Sequence, residues 1–395
     1  MKEKLLFLTN RYPYPPHKGD TIRVHAILQY LSQFYEIHLV SFSESEIADE
    51  RKAHLKPILA QQMIWHEPIT VKKIFLALFK SALLKIPISA AIYTSKNKRA
   101  YLQQLIQQTG IQKMYVFSLA LMSIVPENAD SVYLDVCDVE IFKWHDYAKQ
   151  SIRPLSDLYR YETKRTWDYL KRKTHEVAVC LVISAYEKRL LTRSCHAKKP
   201  VYVIPNGVQL APPLFSSLVP SEKFTLIFVG VMSYRPNVEG MLWFTKFVWP
   251  LLKNHIPEAQ LLIVGQGPVA AIKKLSRDPS VLVTGYVPDV AYYVHQANLV
   301  ISPIKMAYGV QNKVLEALYF GKKLILTPQS IRGIEWHDEG IRVVARNPHQ
   351  WLMQIIDLKS QMLTTEWLLQ RRRDFFQRYY WENCLSPLEK LSELK

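Results

Sequence analysis

The chain reads as an α/β protein made of two Rossmann-like domains in succession, and three observations predict it. Its first stretch runs apolar segment, loop, amphipathic helix, apolar segment, the order in which a doubly wound parallel sheet begins. After a proline-containing stretch in the middle of the chain, the same order starts again at Phe224. The 395 residues, 49% of them hydrophobic, are enough for two domains with full cores.

In the first half, residues 4–9 (KLLFLT) are a short buried strand candidate. Residues 10–19 (NRYPYPPHKG) form a proline-rich turn. Asp20 is then placed to cap a helix whose apolar face is Ile22, Ala26, Ile27, Tyr30 and Leu31. Residues 37–42 (IHLVSF) are the next strand. Gly19 thus lies in the first strand-to-helix turn, at the carboxyl end of a strand, where such sheets take ligands; a simple tight turn is the alternative. Residues 68–126 hold no Asp or Glu but eight Lys or Arg. Within them VKKIFLALFKSALLKIPI sets lysines among Ile, Leu and Phe. That suits an amphipathic helix on an anionic membrane surface, or equally a helix packed on the sheet with solvated lysines.

Residues 114–119 and 132–136 are further strands, the second running into YLDVCDVEIFKWHDYA. Asp135, Asp138 and Glu140 crowd at its end. Close carboxylates raise one another's pKa, which suits proton transfer or hydroxyl binding. Asp138 is the first candidate for orienting or deprotonating a hydroxyl and Glu140 the second, with helix capping by either as the plain alternative. His145 reads as a helix-surface residue. Residues 153–173 are a long charged helix, 177–184 (VAVCLVIS) a buried strand, and SAYE has the form of a capping box. Residues 201–208 (VYVIPNGV) close a first domain, 1–208, and 209–222 have linker composition.

The second half, 223–365, opens with FTLIFV and the glycine Gly230, followed by a helix carrying Trp243, Phe244, Phe247 and Val248. Strands follow at 260–265, 281–286, 299–303 and 323–327, and six strand–helix repeats are expected. The lone GxG of GQGP is weak evidence for a phosphate loop. Residues 302–321 (SPIKMAYGVQNKVLEALYFG) are the most informative. A strand end and a loop lead into a helix whose first turn carries Asn312, Lys313 and Glu316. Val310, Val314, Leu315, Ala317 and Leu318 form its apolar stripe, with Lys313 and Glu316 one turn apart on the other side. Gly309 lets the backbone come close to whatever lies before the helix. A first-turn lysine opposes the helix dipole by roughly 0.3–1 kcal/mol unless an anion is present. A phosphate there would meet both the ammonium and the free N–H groups. Glu316 can accept two hydroxyl hydrogen bonds, as a ribose supplies. The plain alternative is an ordinary surface Lys–Glu pair.

Composition narrows the classes. A net charge of +17 attracts anions such as nucleotide phosphates, anionic headgroups or nucleic acid. No helix-turn-helix, RNA-recognition or zinc pattern supports the last of these. No run of about 18 uncharged apolar residues appears, so no transmembrane helix is expected. The N-terminal apolar run is only LLFL, a poor signal peptide. Cys137, Cys180, Cys195 and Cys384 show no paired spacing, which argues for a reducing compartment without disulfides or zinc. A cytoplasmic protein is expected, with attachment to the inner face of the plasma membrane open beside it.

The pattern G-x-x-x-K-x-x-E-A at 309–317, followed by G-x-x-x-I, resembles the donor-sugar signature of family 4 glycosyltransferases. QNKVLEA, PPHKGDTIR and the segment from Asp135 to Ala148 are similar to sugar transferases of exopolysaccharide and PEP-CTERM systems. The resemblance spans nearly the whole chain. It implies the GT-B fold: two Rossmann-like domains facing across a cleft, with C-terminal helices, 366–395, crossing back to the first. It implies a retaining transferase that moves a sugar from a nucleotide-diphosphate donor to a hydroxyl of a glycan or lipid-linked acceptor in cell-surface polysaccharide synthesis, with no metal and no cofactor. By the same resemblance Lys313 and Arg235 contact the diphosphate and Glu316 the ribose, with Gly309 and Asn312 beside them. The backbone at Tyr286 and Val287 reads the nucleobase, and Gly19 lies near donor phosphate and acceptor. The chain departs from the family at Tyr308, where many members have a glutamate, at Val231, where an arginine is usual, and at Gly19, where two glycines are usual. Rival readings are another GT-B sugar-nucleotide enzyme such as an epimerase, whose paired acid and base carboxylates are absent, and a basic nucleic-acid-binding protein.

Overall fold

The structure is a computed structural model and describes residues 2–127, 129, 131–137, 141–208, 223–307 and 309–393. The chain forms two compact units, Met1–Asn206 with Cys384–Lys395, and Gly207–Asn383. Tyr308, Asp138, Glu140 and the expected linker 209–222 lie outside the described residues. No described helix is long and apolar enough to cross a membrane, and all four cysteines are free thiols.

Unit 1 is built on a parallel sheet of β1 (Glu3–Thr9), β2 (Tyr35–Ser43), β3 (Gln61–His66), β4 (Lys113–Phe117), β5 (Ser131–Cys137), β6 (Val179–Val182) and β7 (Val201–Val203). Their order is β3-β2-β1-β4-β5-β6-β7. The central strands are buried on both faces, which is why they read as continuous apolar runs rather than alternating ones. The first helix, Gly19–Leu31, starts one residue before the expected cap: Lys18 occupies the N-cap. Asp20 lies inside the first turn, where it accepts from the Thr21 N–H at 2.9 Å and pairs with Arg11 at 2.5 Å. An acid there still favours the positive end of the helix dipole. The expected helix 153–173 begins at Leu155, just past Pro154, and a separate helix, Ile141–Gln150, precedes it.

A buried ion pair ties the first helix to the sheet. Arg23, wholly enclosed, donates from Nε to Asp135 Oδ2 at 3.0 Å and from Nη1 to Ile204 O at 2.8 Å and Asn206 Oδ1 at 3.0 Å. Asp135 also accepts from the Tyr115 hydroxyl at 2.7 Å and the Cys137 N–H at 2.9 Å. Asp135 therefore does not stand as a free acid at the strand's end, as its crowding with Asp138 and Glu140 suggested. Its oxygens are spent inside the fold.

Unit 2 is a second parallel sheet: β8 (Thr225–Val229), β9 (Gln260–Val264), β10 (Val281–Gly285), β11 (Leu299–Ser302), β12 (Lys323–Leu326) and β13 (Ile341–Val343), ordered β10-β9-β8-β11-β12-β13. Apolar clusters fill both faces. One gathers Phe228, Phe244 and Trp351, the other Val314, Leu315, Leu318, Trp336, Phe375 and Tyr379. The helix Thr365–Tyr379 therefore packs within unit 2, and the chain rejoins unit 1 only from Cys384, later than the residue 366 the sequence suggested.

Candidate active site

In unit 2 the chain winds outward from β8 to β9 and β10, then crosses to β11 and winds the other way. The seam between β8 and β11 is the topological switch point, and open α/β sheets take ligands at the carboxyl ends of strands there. The loop after β8 leads into the helix Arg235–Trp243, and the loop after β11 into the helix Asn312–Tyr319. A cavity of about 440 Å³ lined by Lys223, Phe224, Asn298 and Lys323 lies at the opposite, amino ends of these strands.

The two loops meet through Lys313. Its Nζ donates to Asn237 Oδ1 at 2.9 Å and stands 4.2 Å from the centre of the Phe228 ring. Asn237 is held in turn by its Nδ2, which donates to Val231 O at 2.9 Å. Lys313 and Glu316 form no ion pair with each other, which removes the surface-pair alternative. Glu316 is partly buried, and its carboxylate has neither a hydrogen bond nor an ion pair among the described residues. Burial pushes the Lys313 ammonium down to about 7 while Glu316 pulls it back up. Burial pushes the Glu316 carboxyl up to about 7 against the pull of Lys313. A partly buried acid without a hydrogen bond and a lysine held by a neutral amide, each with its pKa moved by burial, mark a candidate functional site.

Glycine makes the room. A Cβ on Gly230 would lie 2.7 Å from Asn237 Nδ2 and 3.1 Å from Lys313 Nζ. Gly265 has φ +144°, and a Cβ on it would lie 1.8 Å from the Gly230 carbonyl oxygen. The ends of β8 and β9 are thus pressed backbone to backbone, with the Gly230 N–H donating to Val264 O at 3.0 Å and the Met232 N–H to Gln266 O at 2.8 Å. Gly309 has φ +67°, which carries the chain round into the helix that follows. Asn312 is that helix's first residue, and the N-cap, Gln311, gives the first turn no side-chain hydrogen bond. The Val314 and Leu315 N–H groups already donate to Gln311 O at 2.9 and 3.3 Å, so in the first turn it is the Lys313 N–H that keeps capacity for an anion.

The remaining expected residues are placed less tightly. Arg235 opens its helix at the same end of the sheet, but its Nε donates to Glu239 Oε1 at 2.8 Å, one turn further along. Tyr286, just past β10, is 70% exposed, and Val287 packs partly against the core. Gly19 is the exposed first residue of its helix in unit 1. Asn237, Glu239 and the Gly265 contact are not among the residues to which the sequence pointed. Asn237 had one signal, an amide inside RPNVEG that ends 5% exposed.

Residues 223–361, within unit 2, match the family described as Glycosyl transferases group 1. Over nearly its full length the chain is similar to sucrose-phosphate synthase from Thermosynechococcus elongatus, with 14% identity, a TM-score of 0.68, and 99% of this chain and 98% of that one covered. It is similar to Anabaena HepE in complex with UDP, with 13% identity, a TM-score of 0.64, and 99% of this chain and 100% of that one covered. An uncharacterized 44.6 kDa protein in the cps region of Klebsiella pneumoniae is 19% identical over 328 residues, 82% of this chain and 76% of that protein. The fold is therefore GT-B, and the glycosyl transferases group 1 match falls on the unit that holds Lys313 and Glu316.

Proposed function

We propose that the protein is a retaining glycosyltransferase that moves a sugar from a nucleoside-diphosphate donor to a hydroxyl of a glycan or lipid-linked acceptor. The observation that carries this is the Lys313–Asn237–Glu316 arrangement at the switch point, a lysine and a carboxylate that feel each other's charge but make no ion pair, where a nucleotide would lie. The diphosphate would take the ammonium and the backbone N–H of Lys313, and the ribose hydroxyls would donate to Glu316. The Gly230–Gly265 junction would let the phosphates approach the backbone. The UDP in the HepE complex and the group 1 match support a nucleotide sugar as donor. The cps-region relative supports a role in surface polysaccharide synthesis.

In the reaction the bond from the anomeric carbon to the diphosphate oxygen breaks, and a bond to the acceptor oxygen forms on the same face of the sugar. The acceptor proton passes to an oxygen of the departing diphosphate, with Asp138, or else Glu140, orienting the hydroxyl. Negative charge grows on the diphosphate as the bond breaks, so the ammonium and backbone N–H of Lys313 bind the transition state more tightly than the ground state. Arg235 can join them only by leaving Glu239, which is open to it because both are exposed or nearly so. These cations supply the charge stabilisation that a metal supplies elsewhere, and the reading takes no metal.

The test is a panel of nucleotide sugars and nucleoside diphosphates followed by thermal shift, then by release of nucleoside diphosphate with and without EDTA. One nucleotide should stabilise the protein, and turnover should survive the chelator. No stabilisation by any member of the panel would refute the assignment.

A further inference from the structure

The helix Val71–Leu84 in unit 1 is packed inside out. Thr70 caps it, accepting from the Lys73 N–H at 3.2 Å. Only Ala77 and Ser81, one turn apart, are buried. The large apolar side chains stand outward: Val71 is 72% exposed, Phe75 69%, Phe79 68% and Leu83 69%, with Leu76 also exposed. At 100° per residue these five fall within one broad face. Small residues inward and Phe and Leu outward is the reverse of a helix that packs on a sheet. The apolar patch it leaves is of the kind that marks an interaction surface.

Charge decides what covers it. Of the eight bases in residues 68–126, Lys73 and Lys98 pair with Glu67, Lys113 with Glu3 and Arg99 with Glu127, and Lys80 donates to Thr94 O. Lys72, Lys85 and Lys96 are exposed with no ion-pair partner among the described residues. Lys72 lies within the apolar face itself and Lys85 at its C-terminal end. Residues 68–126 contain no acid to meet them. An isologous pairing of two copies through this face would set those lysines against their own kind.

We propose that this helix lies in the surface of an anionic bilayer, with Phe75, Leu76, Phe79 and Leu83 in the headgroup–acyl boundary and Lys72 and Lys85 on the phosphates. Lysine stems reach the headgroups while their methylenes cover apolar surface. That this docking brings the enzyme to a lipid-carried hydroxyl rests on the proposed function. The docking itself does not.

The test is flotation of the whole protein, without nucleotide, on phosphatidylglycerol-containing and on pure phosphatidylcholine vesicles, at low and high salt. The protein should float with the anionic vesicles and be partly released by salt. Phe75→Ser/Phe79→Ser/Leu83→Ser should weaken binding to anionic vesicles by about tenfold or more. Lys72→Glu/Lys85→Glu should weaken it on anionic vesicles and leave any binding to neutral ones unchanged. Both variants should keep the nucleotide-induced thermal shift, which shows that they fold and separates this test from that of the donor site. No flotation of wild type at low salt would overturn the proposal. So would flotation untouched by either variant, or a dimer in light scattering that the serine variant dissolves.

Discussion

Lys313 is an ammonium kept where its own charge is costly, and the cost sets a pH dependence. Burial lowers its pKa to about 7, so the side chain loses that proton as pH rises through neutrality. A diphosphate restores the charged form, because an opposite charge within a few ångströms favours it. Binding above pH 7 must therefore take up a proton, and affinity must fall as pH rises further. Glu316 carries the opposite sign: its raised pKa leaves it protonated below about 7, and ribose hydroxyls that donate to the carboxylate expel that proton. Titration calorimetry in buffers of different ionisation enthalpy should show net uptake at pH 8 and net release at pH 6. Zero linkage at both would mean that the nucleotide does not touch this pair. Lys313→Ala and Glu316→Ala should each weaken donor use tenfold or more, since a charge-assisted contact is worth roughly 1.5–3 kcal/mol. Asn237→Ala loses only a neutral partner of Lys313, about 1 kcal/mol, and should weaken binding several-fold. Initial-rate measurements with a limiting donor read all three, and wild-type kinetics in the lysine and glutamate variants would sink the assignment. The lysine and glutamate were legible because one helical turn links them within a motif. Asn237 was not, because its partner lies 76 residues away and only folding joins them.

At the scale of the element, the junction of β8 and β9 separates two kinds of glycine. A Cβ on Gly265 meets the Gly230 carbonyl oxygen at 1.8 Å, and backbone cannot swing aside. A Cβ on Gly230 meets only the ends of two side chains, which can. Gly265→Ala should therefore lower the melting temperature severely, whereas Gly230→Ala should melt near wild type yet bind nucleoside diphosphate poorly, because Lys313 is displaced. Paired thermal melts with and without nucleotide distinguish them, and equal losses of stability in both would contradict the geometry. In unit 1, Asp135→Asn leaves Arg23 enclosed without its counter-charge, and breaking a buried pair this way costs about 3–5 kcal/mol. Denaturant unfolding should show that loss; a stability unchanged from wild type would mean that the pair is not what ties helix to sheet. The central strands were readable because burial on both faces demands unbroken apolar runs. β3 escaped because its sequence, QQMIWH, is half polar at the edge of its sheet, and β13 because three residues carry no periodicity. The Arg23–Asp135 tie left a faint trace on one side only, a lone charge inside the otherwise mostly apolar strand β5.

For the whole molecule, the repeat of one α/β pattern made two units legible, but not where the C-terminal helices belong. Phe375 and Tyr379 would fit either sheet on apolar character alone; their contact with Trp336 and Tyr319 puts them in unit 2. Since every residue that converges at the switch point also lies in unit 2, nucleotide binding should be felt first there. A nucleoside diphosphate at a hundred times its Kd stabilises the state it binds by about 2.7 kcal/mol. Hydrogen exchange should then slow in 230–237, 265–267, 285–287 and 309–316, the loops after β8, β9, β10 and β11. Exchange in β1 and β4, whose opening depends on the unit 1 core, should stay as it was. The measurement needs the nucleotide that gives the largest thermal shift and the full chain, because Cys384–Lys395 completes unit 1. Protection confined to unit 1, or absent from 309–316, would place the donor elsewhere and leave Lys313 and Glu316 without a function.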